Sequence, residues 1–146
     1  DWRLVLAGSQ GFGAEETLTE IRQSPARERI YVTGYVTEEE AGAWFAKAGI
    51  FAFPSLDEGF GIPILEAMAA GVPVLTGNRS ALPEVAANAG LCVDAMDEQA
   101  LADGLVRLAF DGELRENLIQ RGRTRAAEFT WDRAVSQTLA IYRELL

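Results

Sequence analysis

The sequence predicts an α/β fold with a doubly wound parallel sheet, on the evidence of how apolar runs and helical segments follow one another. Five short apolar runs alternate with segments of helical periodicity. Such alternation is typical of a parallel sheet covered by helices on both faces. A glycine-rich turn between the third apolar run and the next helix marks the place where a ligand would bind in such a fold.

The individual elements follow from periodicity and from residues that begin or end helices. We predict strands over residues 3–8, 30–33, 50–53, 72–76 and 90–93, and helices over residues 15–23, 37–47, 63–70 and 82–87 and from 97 onwards. Thr37 and Glu40 form a capping-box pattern at the start of the second helix. Breaks near Asp111-Gly112 and Phe129-Thr130 divide the last part into three helices, with Thr130 as an N-cap.

The last predicted helix has one apolar face. Its members recur at spacings of three and four positions: Trp131, Ala134, Val135, Thr138, Leu139 and Tyr142. We predict that this face packs in the core. The basic residues between Arg115 and Arg125 are interspersed with glutamates, which predicts a solvated helix face.

Composition excludes several classes of function. The 146 residues carry a net charge of −9, which argues against nucleic acid and against an electrostatic hold on anionic membranes. No apolar run approaches the roughly 20 residues that span a bilayer, and we expect no signal peptide. The chain supports one domain, and because it opens with Asp1-Trp2-Arg3 instead of Met, we expect a piece of a longer protein.

The single cysteine and the absence of histidine limit the chemistry further. Cys92 lies in an apolar run and is expected to be a small buried hydrophobe. One cysteine forms no disulfide framework, which fits a reducing compartment. Without histidine the chain has no Ser-His-Asp triad, and we expect no metal site.

The most informative segment runs from Glu58 to Gly71. Glu58 and Glu66 stand eight positions apart, with the turn Gly59-Phe60-Gly61 after the first. Pro63 suits the first turn of a helix, and Gly71 ends that helix. A helix N-terminus after a glycine-rich turn binds phosphate, whereas carboxylates accept hydrogen bonds from hydroxyls. Phosphate and sugar together indicate a nucleotide-sugar.

Four turns should converge on this site. Gly8, Gly34, the loop from Asp57 to Gly61 and the turn Gly77-Asn78 each follow a predicted strand. Because parallel strands end at the same edge of a sheet, we expect these turns to crowd one edge.

With these residues in hand, the chain resembles the C-terminal domain of a glycosyltransferase of family 4 (the glycosyl transferase group 1 type), which is one half of a GT-B fold and is Rossmann-like. The motifs that carry the resemblance are Gly34-Tyr35-Val36, Phe53-Pro54-Ser55, the E-x7-E pair of Glu58 and Glu66, the run from Ala67 to Val74, Leu82-Pro83-Glu84-Val85 and Phe129-Thr130-Trp131-Asp132-Arg133. They span nearly the whole chain.

The resemblance implies transfer of a sugar from a nucleoside diphosphate to an acceptor hydroxyl, with retention at the anomeric carbon, in polysaccharide or glycolipid synthesis. It assigns Glu58 as the catalytic residue that holds the donor sugar, and Glu66 to the ribose hydroxyls. For the diphosphate it implies Gly59 and the backbone N–H groups of Phe60, Gly61 and Ile62. For the base it implies Tyr35 and Val36, and Gly8 would allow a close approach of the nucleotide. It implies no cofactor and no metal.

The chain departs from the family pattern at its start. In family members an Arg and a Lys bind the diphosphate, and no such pair follows a strand near this N-terminus. We therefore expect the first βα unit of this domain and the N-terminal acceptor domain to be absent. The acceptor sugar or lipid would bind through that other domain, and this chain alone should bind donor weakly. The resemblance implies a cytoplasmic protein, peripheral to the inner membrane through the other domain.

Several alternatives stay open. The segment from Asn78 to Glu84 resembles mannosyltransferase-like members and favours GDP-mannose, with UDP- and ADP-sugars as alternatives. A GT-B epimerase, a phosphorylase and a non-catalytic nucleotide-sugar-binding module share the architecture. A glycosidase, with two carboxylates flanking one bond, is disfavoured because Glu66 lies in a helix beyond a phosphate loop. We expect Glu84 to be a first-turn helix residue without a catalytic role, whereas Arg79 could be solvent-exposed or contact phosphate.

Overall fold

The computed structural model describes residues 2–11 and 13–145. They divide into two compact units, with the boundary between Trp44 and Phe45, and each unit is described by itself. Both contain parallel sheets with helices between consecutive strands, as the alternating pattern predicts.

The first unit pairs two parallel strands. It comprises β1 (Leu4–Ala7), α1 (Ala14–Gln23), a 3₁₀ turn (Arg27–Arg29), β2 (Ile30–Gly34) and α2 (Glu38–Phe45), whose last residue begins the second unit. Leu4 lies opposite Ile30, and the register shifts between Leu6 and Ala7. After β1, the Gly8 N–H donates to the Gly34 carbonyl at 2.9 Å.

The capping box of α2 is confirmed. The Thr37 N–H donates to Glu40 Oε2 at 2.8 Å, and the Glu40 N–H donates to Thr37 Oγ1 at 3.2 Å. The hydrogen bond from the Thr37 backbone is the main cause that lowers the pKa of the Glu40 carboxyl. The helix ends at Phe45, two residues before the predicted end.

The second unit is built on a three-stranded sheet. Its elements are β3 (Phe51–Phe53), α3 (Ile62–Ala69), β4 (Val74–Gly77), α4 (Leu82–Ala86), a 3₁₀ turn (Ala87–Ala89), β5 (Leu91–Val93), α5 (Glu98–Phe110), α6 (Gly112–Ala127) and α7 (Trp131–Leu145). The strand order is β3-β4-β5, all parallel, with Phe51 opposite Val74 and Leu75 opposite Leu91.

The core of this unit surrounds β4, whose four residues are all buried. One cluster of buried side chains joins α3, β4 and α4, with Ile64, Met68 and Leu82 at its centre. Leu75, on the same strand, packs in a second cluster with residues of α5 and α6. Thr76 is buried and satisfied, because its hydroxyl donates to the Phe53 carbonyl at 3.0 Å.

Two glycines bring helices close to this core. A Cβ on Gly104 of α5 would lie 2.6 Å from Leu75 Cδ1, and one on Gly122 of α6 would lie 3.1 Å from Met68 Cγ. The first distance is too short for any side chain at position 104 unless Leu75 moves. Cys92 is half-buried against the first cluster, and its burial raises the pKa of the thiol, in agreement with the expected small hydrophobe.

Side-chain caps mark the breaks between the last three helices. Asp97 accepts from the N–H groups of Gln99 and Ala100 at the start of α5, and Asp111 accepts from the Leu114 N–H at the start of α6. Thr130 Oγ1 accepts from the Arg133 N–H at 3.2 Å. The breaks predicted near Asp111 and Phe129, and the Thr130 N-cap, are therefore confirmed.

Within the described residues, no helix is both long and apolar enough to cross a membrane.

The prediction that the apolar face of α7 packs in the core is wrong. No residue of α7 that the structure describes is buried; Trp131 is 87% exposed and Leu139 47%. The spacing of apolar residues determines that they share a face. It does not determine whether another element covers that face.

The prediction of a solvated basic face on α6 is also wrong for part of it. Arg121 donates to the Asn88 carbonyl at 3.3 Å. Arg125 donates to the carbonyls of Glu84 at 2.7 Å and Val85 at 3.0 Å. The carbonyls of Glu84 and Val85 lie in the last turn of α4, where the helix itself offers no partner, so Arg125 ties α6 to α4. Arg121 contacts the 3₁₀ turn that follows α4.

Candidate functional site

The candidate site begins with the loop of residues 54–61 between β3 and α3, called here the β3–α3 loop. Its last residue, Gly61, is the N-cap of α3 and has φ +105° and ψ +44°, a conformation that a residue with a Cβ rarely adopts. A Cβ there would also lie 3.0 Å from Leu82 Cδ2 and 3.3 Å from Ile64 Cδ1. Backbone conformation and packing thus both select glycine at this helix start.

The start of α3 offers backbone donors. Within residues 2–11 and 13–145, no hydrogen bond uses the N–H groups of Phe60, Gly61 or Ile62, and Pro63 follows in the first turn of the helix. Phe60 is 45% exposed and Ile62 60%. Unpaired N–H groups at the positive end of a helix favour an anion such as phosphate.

Glu66 lies on the exposed side of α3, opposite the core. Ile64, Ala67 and Met68 are buried on the other side, whereas Glu66 is exposed. The helix ends in a Schellman motif, in which the N–H of Val72 donates to Ala67 and the N–H of Gly71 to Met68. The predicted end at Gly71, at φ +78°, is confirmed, and Glu66 stands on a helix that is fixed at both ends.

Glu58 is half-buried in the β3–α3 loop, and the turn after β4 holds its backbone. The Glu58 N–H donates to Ser80 Oγ at 3.2 Å, and the Ala81 N–H donates to the Glu58 carbonyl at 3.4 Å. In the described part of the chain, no hydrogen bond or ion pair involves the carboxylate of Glu58 or of Glu66. Both carboxylates are therefore free to accept hydrogen bonds from a ligand.

A cleft of about 450 Å³ opens beside Gly59 and Phe60. The Phe60 ring packs edge-on against Phe129 with 5.7 Å between centroids, and the Arg125 guanidinium lies 4.6 Å from the centre of the Phe129 ring. Arg125 also pairs with Glu128. The junction of α6 and α7 therefore forms a wall of this cleft.

Sequence reasoning missed Arg125, Phe129 and Arg133 as neighbours of the β3–α3 loop. Arg133, which donates to the Glu128 carbonyl at 3.1 Å, lines the same cleft as Gly59 and Phe60. The only signal was the motif from Phe129 to Arg133, and nothing in its spacing places it beside a loop some seventy residues earlier.

Glu84 and Arg79 are the other two charged residues for which the sequence predicted a location. Glu84 is in the first turn of α4, as expected, and lines the cleft. Arg79 approaches Asp94 with 3.4 Å between Nη2 and Oδ1, and both side chains are about half exposed. An exposed pair of this kind is weak, so Arg79 is a solvent-exposed residue, and a contact with phosphate stays a prediction.

Gly8, Tyr35 and Val36 lie in the first unit. Gly8 follows β1 with φ +140°, and Gly34, with φ +72°, leads from β2 into Tyr35 and Val36. Because β1 and β2 are parallel neighbours, these residues share one edge of their sheet. Their predicted convergence with the turns after β3 and β4, which belong to the other sheet, stays a prediction. Tyr35 is exposed and Val36 half-buried; their contacts to a base stay a prediction.

Among the residues that the structure describes, no three His, Cys, Asp or Glu side chains are grouped so that they could hold a metal ion. The site as described offers backbone donors, a helix dipole and two unpaired carboxylates, beside the charged side chains that line the cleft.

Comparison with known proteins identifies the family of this chain. Residues 1–125 match the family described as glycosyl transferases group 1. The chain is 38% identical over 143 residues to the O-antigen chain mannosyltransferase B of Escherichia coli, covering 97% of this chain and 37% of that protein. It is 36% identical over 121 residues to the MMP alpha-(1->4)-mannosyltransferase of Mycolicibacterium hassiacum, covering 80% of this chain and 29% of that protein. The chain thus spans about a third of the length of these relatives.

Solved structures agree on the fold. The sucrose-phosphate synthase of Thermosynechococcus elongatus superposes with a TM-score of 0.85 at 27% identity, over 98% of this chain and 38% of that one. The C-terminal domain of a glycosyl transferase group 1 family protein from Francisella tularensis superposes with a TM-score of 0.69 at 29% identity, over 78% of this chain and 60% of that one. The predicted fold class, a Rossmann-like α/β fold of the C-terminal half of a GT-B enzyme, is confirmed. On the evidence of its sequence, its fold and these relatives, the chain belongs to the glycosyl transferases group 1 family.

Proposed function

We propose that this chain is the donor-binding part of a retaining glycosyltransferase that moves a sugar from a nucleoside diphosphate to an acceptor hydroxyl. The observation that carries the proposal is the start of α3, where three backbone N–H groups have no partner in the described structure and two unpaired carboxylates flank them in sequence. The family match and the transferases among its relatives favour this reading over an epimerase, a phosphorylase or a non-catalytic module.

Each part of the site has a role in this proposal. The N–H groups of Phe60, Gly61 and Ile62 bind the diphosphate, and Gly59 lies beside them in the β3–α3 loop. Glu66 accepts hydrogen bonds from the ribose hydroxyls, and Glu58 holds the donor sugar. In the first unit, the backbone at Tyr35 and Val36 contacts the base, and Gly8 permits close approach of the nucleotide.

The chemistry follows from where charge develops. Departure of the diphosphate leaves negative charge on the leaving group and an oxocarbenium-like sugar. Preorganised N–H donors at a helix N-terminus stabilise the leaving group. An ionised carboxylate at Glu58 stabilises the cationic sugar and fixes its position. Neither task needs a metal ion, and we propose that the reaction is metal-independent.

The mannosyltransferases among the relatives favour GDP-mannose as the donor. Other relatives of similar identity are named as D-inositol 3-phosphate glycosyltransferases, and one structural neighbour was solved with UDP-glucose. UDP- and ADP-sugars are therefore the alternatives to test. We propose that the acceptor sugar or lipid binds to another domain, since the chain spans about a third of its relatives.

The test is a calorimetric titration of the chain with GDP, UDP and ADP, repeated on Glu66→Ala. We expect selective binding of one nucleotide, with an affinity in the millimolar range, about −4 kcal/mol, that Glu66→Ala abolishes without changing the melting temperature. Glu116→Ala is the matched control, because Glu116 is also an exposed glutamate within a helix. Absence of binding to all three nucleotides, or equal loss in both variants, would contradict the proposal.

A further inference from the structure

Ser80, in the turn between β4 and α4, has an unusual backbone. Its φ is +57°, and among the described residues only Ser80 and Ala87 combine a positive φ with a side chain. This conformation is strained for a residue with a Cβ, and glycine would avoid that strain. Strain of this kind persists where the surrounding structure requires it and is concentrated at functional sites.

Within the described residues, the side chain of Ser80 makes its hydrogen bonds with two consecutive residues of the β3–α3 loop. Its Oγ accepts from the Glu58 N–H at 3.2 Å and lies 2.7 Å from Asp57 Oδ1 and 2.8 Å from the Glu58 carbonyl oxygen. A hydroxyl has one proton, so it donates to one of these two oxygens at a time. With the left-handed backbone at position 80, the Ser80 side chain contacts Glu58, 22 positions earlier in the sequence.

These contacts fix the backbone of Glu58 without using its carboxylate. The N–H of Glu58 is held by Ser80, and its carbonyl is reached by both Ser80 and the N–H of Ala81. The turn after β4 therefore fixes the backbone from which the Glu58 side chain extends. Glu66 depends on no such contact, because the core face of α3 holds it.

We infer that Ser80 is a positioning residue of the donor site: its hydroxyl holds residues 57 and 58 so that the Glu58 carboxylate meets the donor sugar. The inference rests on the proposed function and adds a residue that does not touch the ligand. Sugar binding and nucleotide binding should therefore respond differently to a change at Ser80. Ser80 supports binding of the sugar through Glu58, whereas binding of the nucleotide through Glu66 does not depend on it.

Two variants distinguish positioning from folding. Ser80→Ala and Ser80→Gly both remove the hydroxyl, but Ser80→Gly also relieves the backbone strain. A role in stability alone predicts lower melting temperatures, less so in Ser80→Gly because strain is relieved there, with unchanged ligand binding in both variants. A positioning role predicts that both variants lose the same preference for the sugar whatever their melting temperatures.

The experiment titrates wild type and both variants with GDP-mannose and with GDP, and with UDP-glucose and UDP as a second pair. We expect the affinity for the nucleotide-sugar to fall about three- to tenfold in both variants, the equivalent of one hydrogen bond, while the affinity for the free nucleotide stays constant. An unchanged ratio of the two affinities in Ser80→Gly would overturn the inference. Failure of the wild type to bind any of the four ligands would instead overturn the proposed function.

A second measurement needs no ligand. Hydrogen exchange of the Glu58 amide, followed by NMR, reports directly on the bond to Ser80 Oγ. We expect faster exchange at Glu58 in Ser80→Gly, with exchange in α3 at its wild-type rate. An unaltered Glu58 amide would show that the loop is held by other contacts and would overturn the inference even where ligand binding supports the proposed function.

Discussion

The β3–α3 loop and helix α3 carry the two carboxylates of one motif, yet they are held in different ways. The helix contains most of what fixes it: its buried side chains, its glycine N-cap and its Schellman end are all within residues 61–72. The loop depends on residues at the end of β4 and in the turn after it, with Gly77 close to Ser55 and Ser80 hydrogen-bonded to Glu58.

The difference shows which of the two carboxylates is the more vulnerable to changes elsewhere. Because Glu58 is positioned by the segment from Gly77 to Leu82, substitutions there should disturb Glu58 before they disturb Glu66. Substitutions on the core face of α3 should affect both. Three substitutions test this contrast.

Leu82→Ala should have the largest effect, because this residue supports both regions. Leu82 is fully buried, and its methyl groups lie beside Gly61 and Gly77. Truncating a buried leucine costs about 2–5 kcal/mol of unfolding free energy, which chemical denaturation would measure. Leu105→Ala is the control, since Leu105 is 39% exposed. Equal losses in the two variants would contradict a central place for Leu82.

Gly77→Ala should damage the loop selectively. A Cβ at position 77 would lie 2.6 Å from the Ser55 carbonyl oxygen, and a backbone atom cannot yield as a side-chain tip can. We expect a loss of about 1–3 kcal/mol, typical of overpacking. NMR shift changes should be concentrated in residues 54–61 and 77–81. Shift changes of similar size throughout α3 would show that loop and helix move as one body.

Gly61→Ala should have the smallest of the three effects and is best compared with Gly59→Ala. Gly61 has φ +105° and little space for a Cβ, whereas a Cβ on Gly59 would meet nothing within 4 Å. We expect Gly61→Ala to lose about 1–2 kcal/mol in the free energy of unfolding and Gly59→Ala to stay close to the wild type. Thermal unfolding of both proteins decides this, and equal melting temperatures would contradict the backbone argument.

Sequence reasoning succeeded where the relevant residues are neighbours in the chain. The capping box of Thr37 and Glu40, the N-cap at Thr130 and the helix end at Gly71 were all predicted and are observed. The parallel strands and the turn that leads into α3 were likewise predicted from local patterns. Each depends on interactions within a few residues, where residue type and spacing carry most of the information.

It failed where the partner of a residue is far away in sequence. The alternation of charges on α6 gave no sign that Arg125 binds the carbonyls of Glu84 and Val85, about forty positions earlier. The apolar spacing of α7 predicted a buried face, but that face is exposed. Periodicity reports which residues lie together on a helix, and only the packing of other elements reports what lies against them.

The sequence by itself determined the order of strands and helices, several helix ends and the family, because these follow from short-range spacing and from a motif of fourteen consecutive residues, 58–71. The tertiary structure alone decided that Ser80 holds the backbone of Glu58, that Arg125 ties α6 to α4, and that Phe129 stands against Phe60. The physical reason is that each of these contacts joins segments brought together by the packing of the second unit around β4. No local propensity records which distant residue the fold will place beside another.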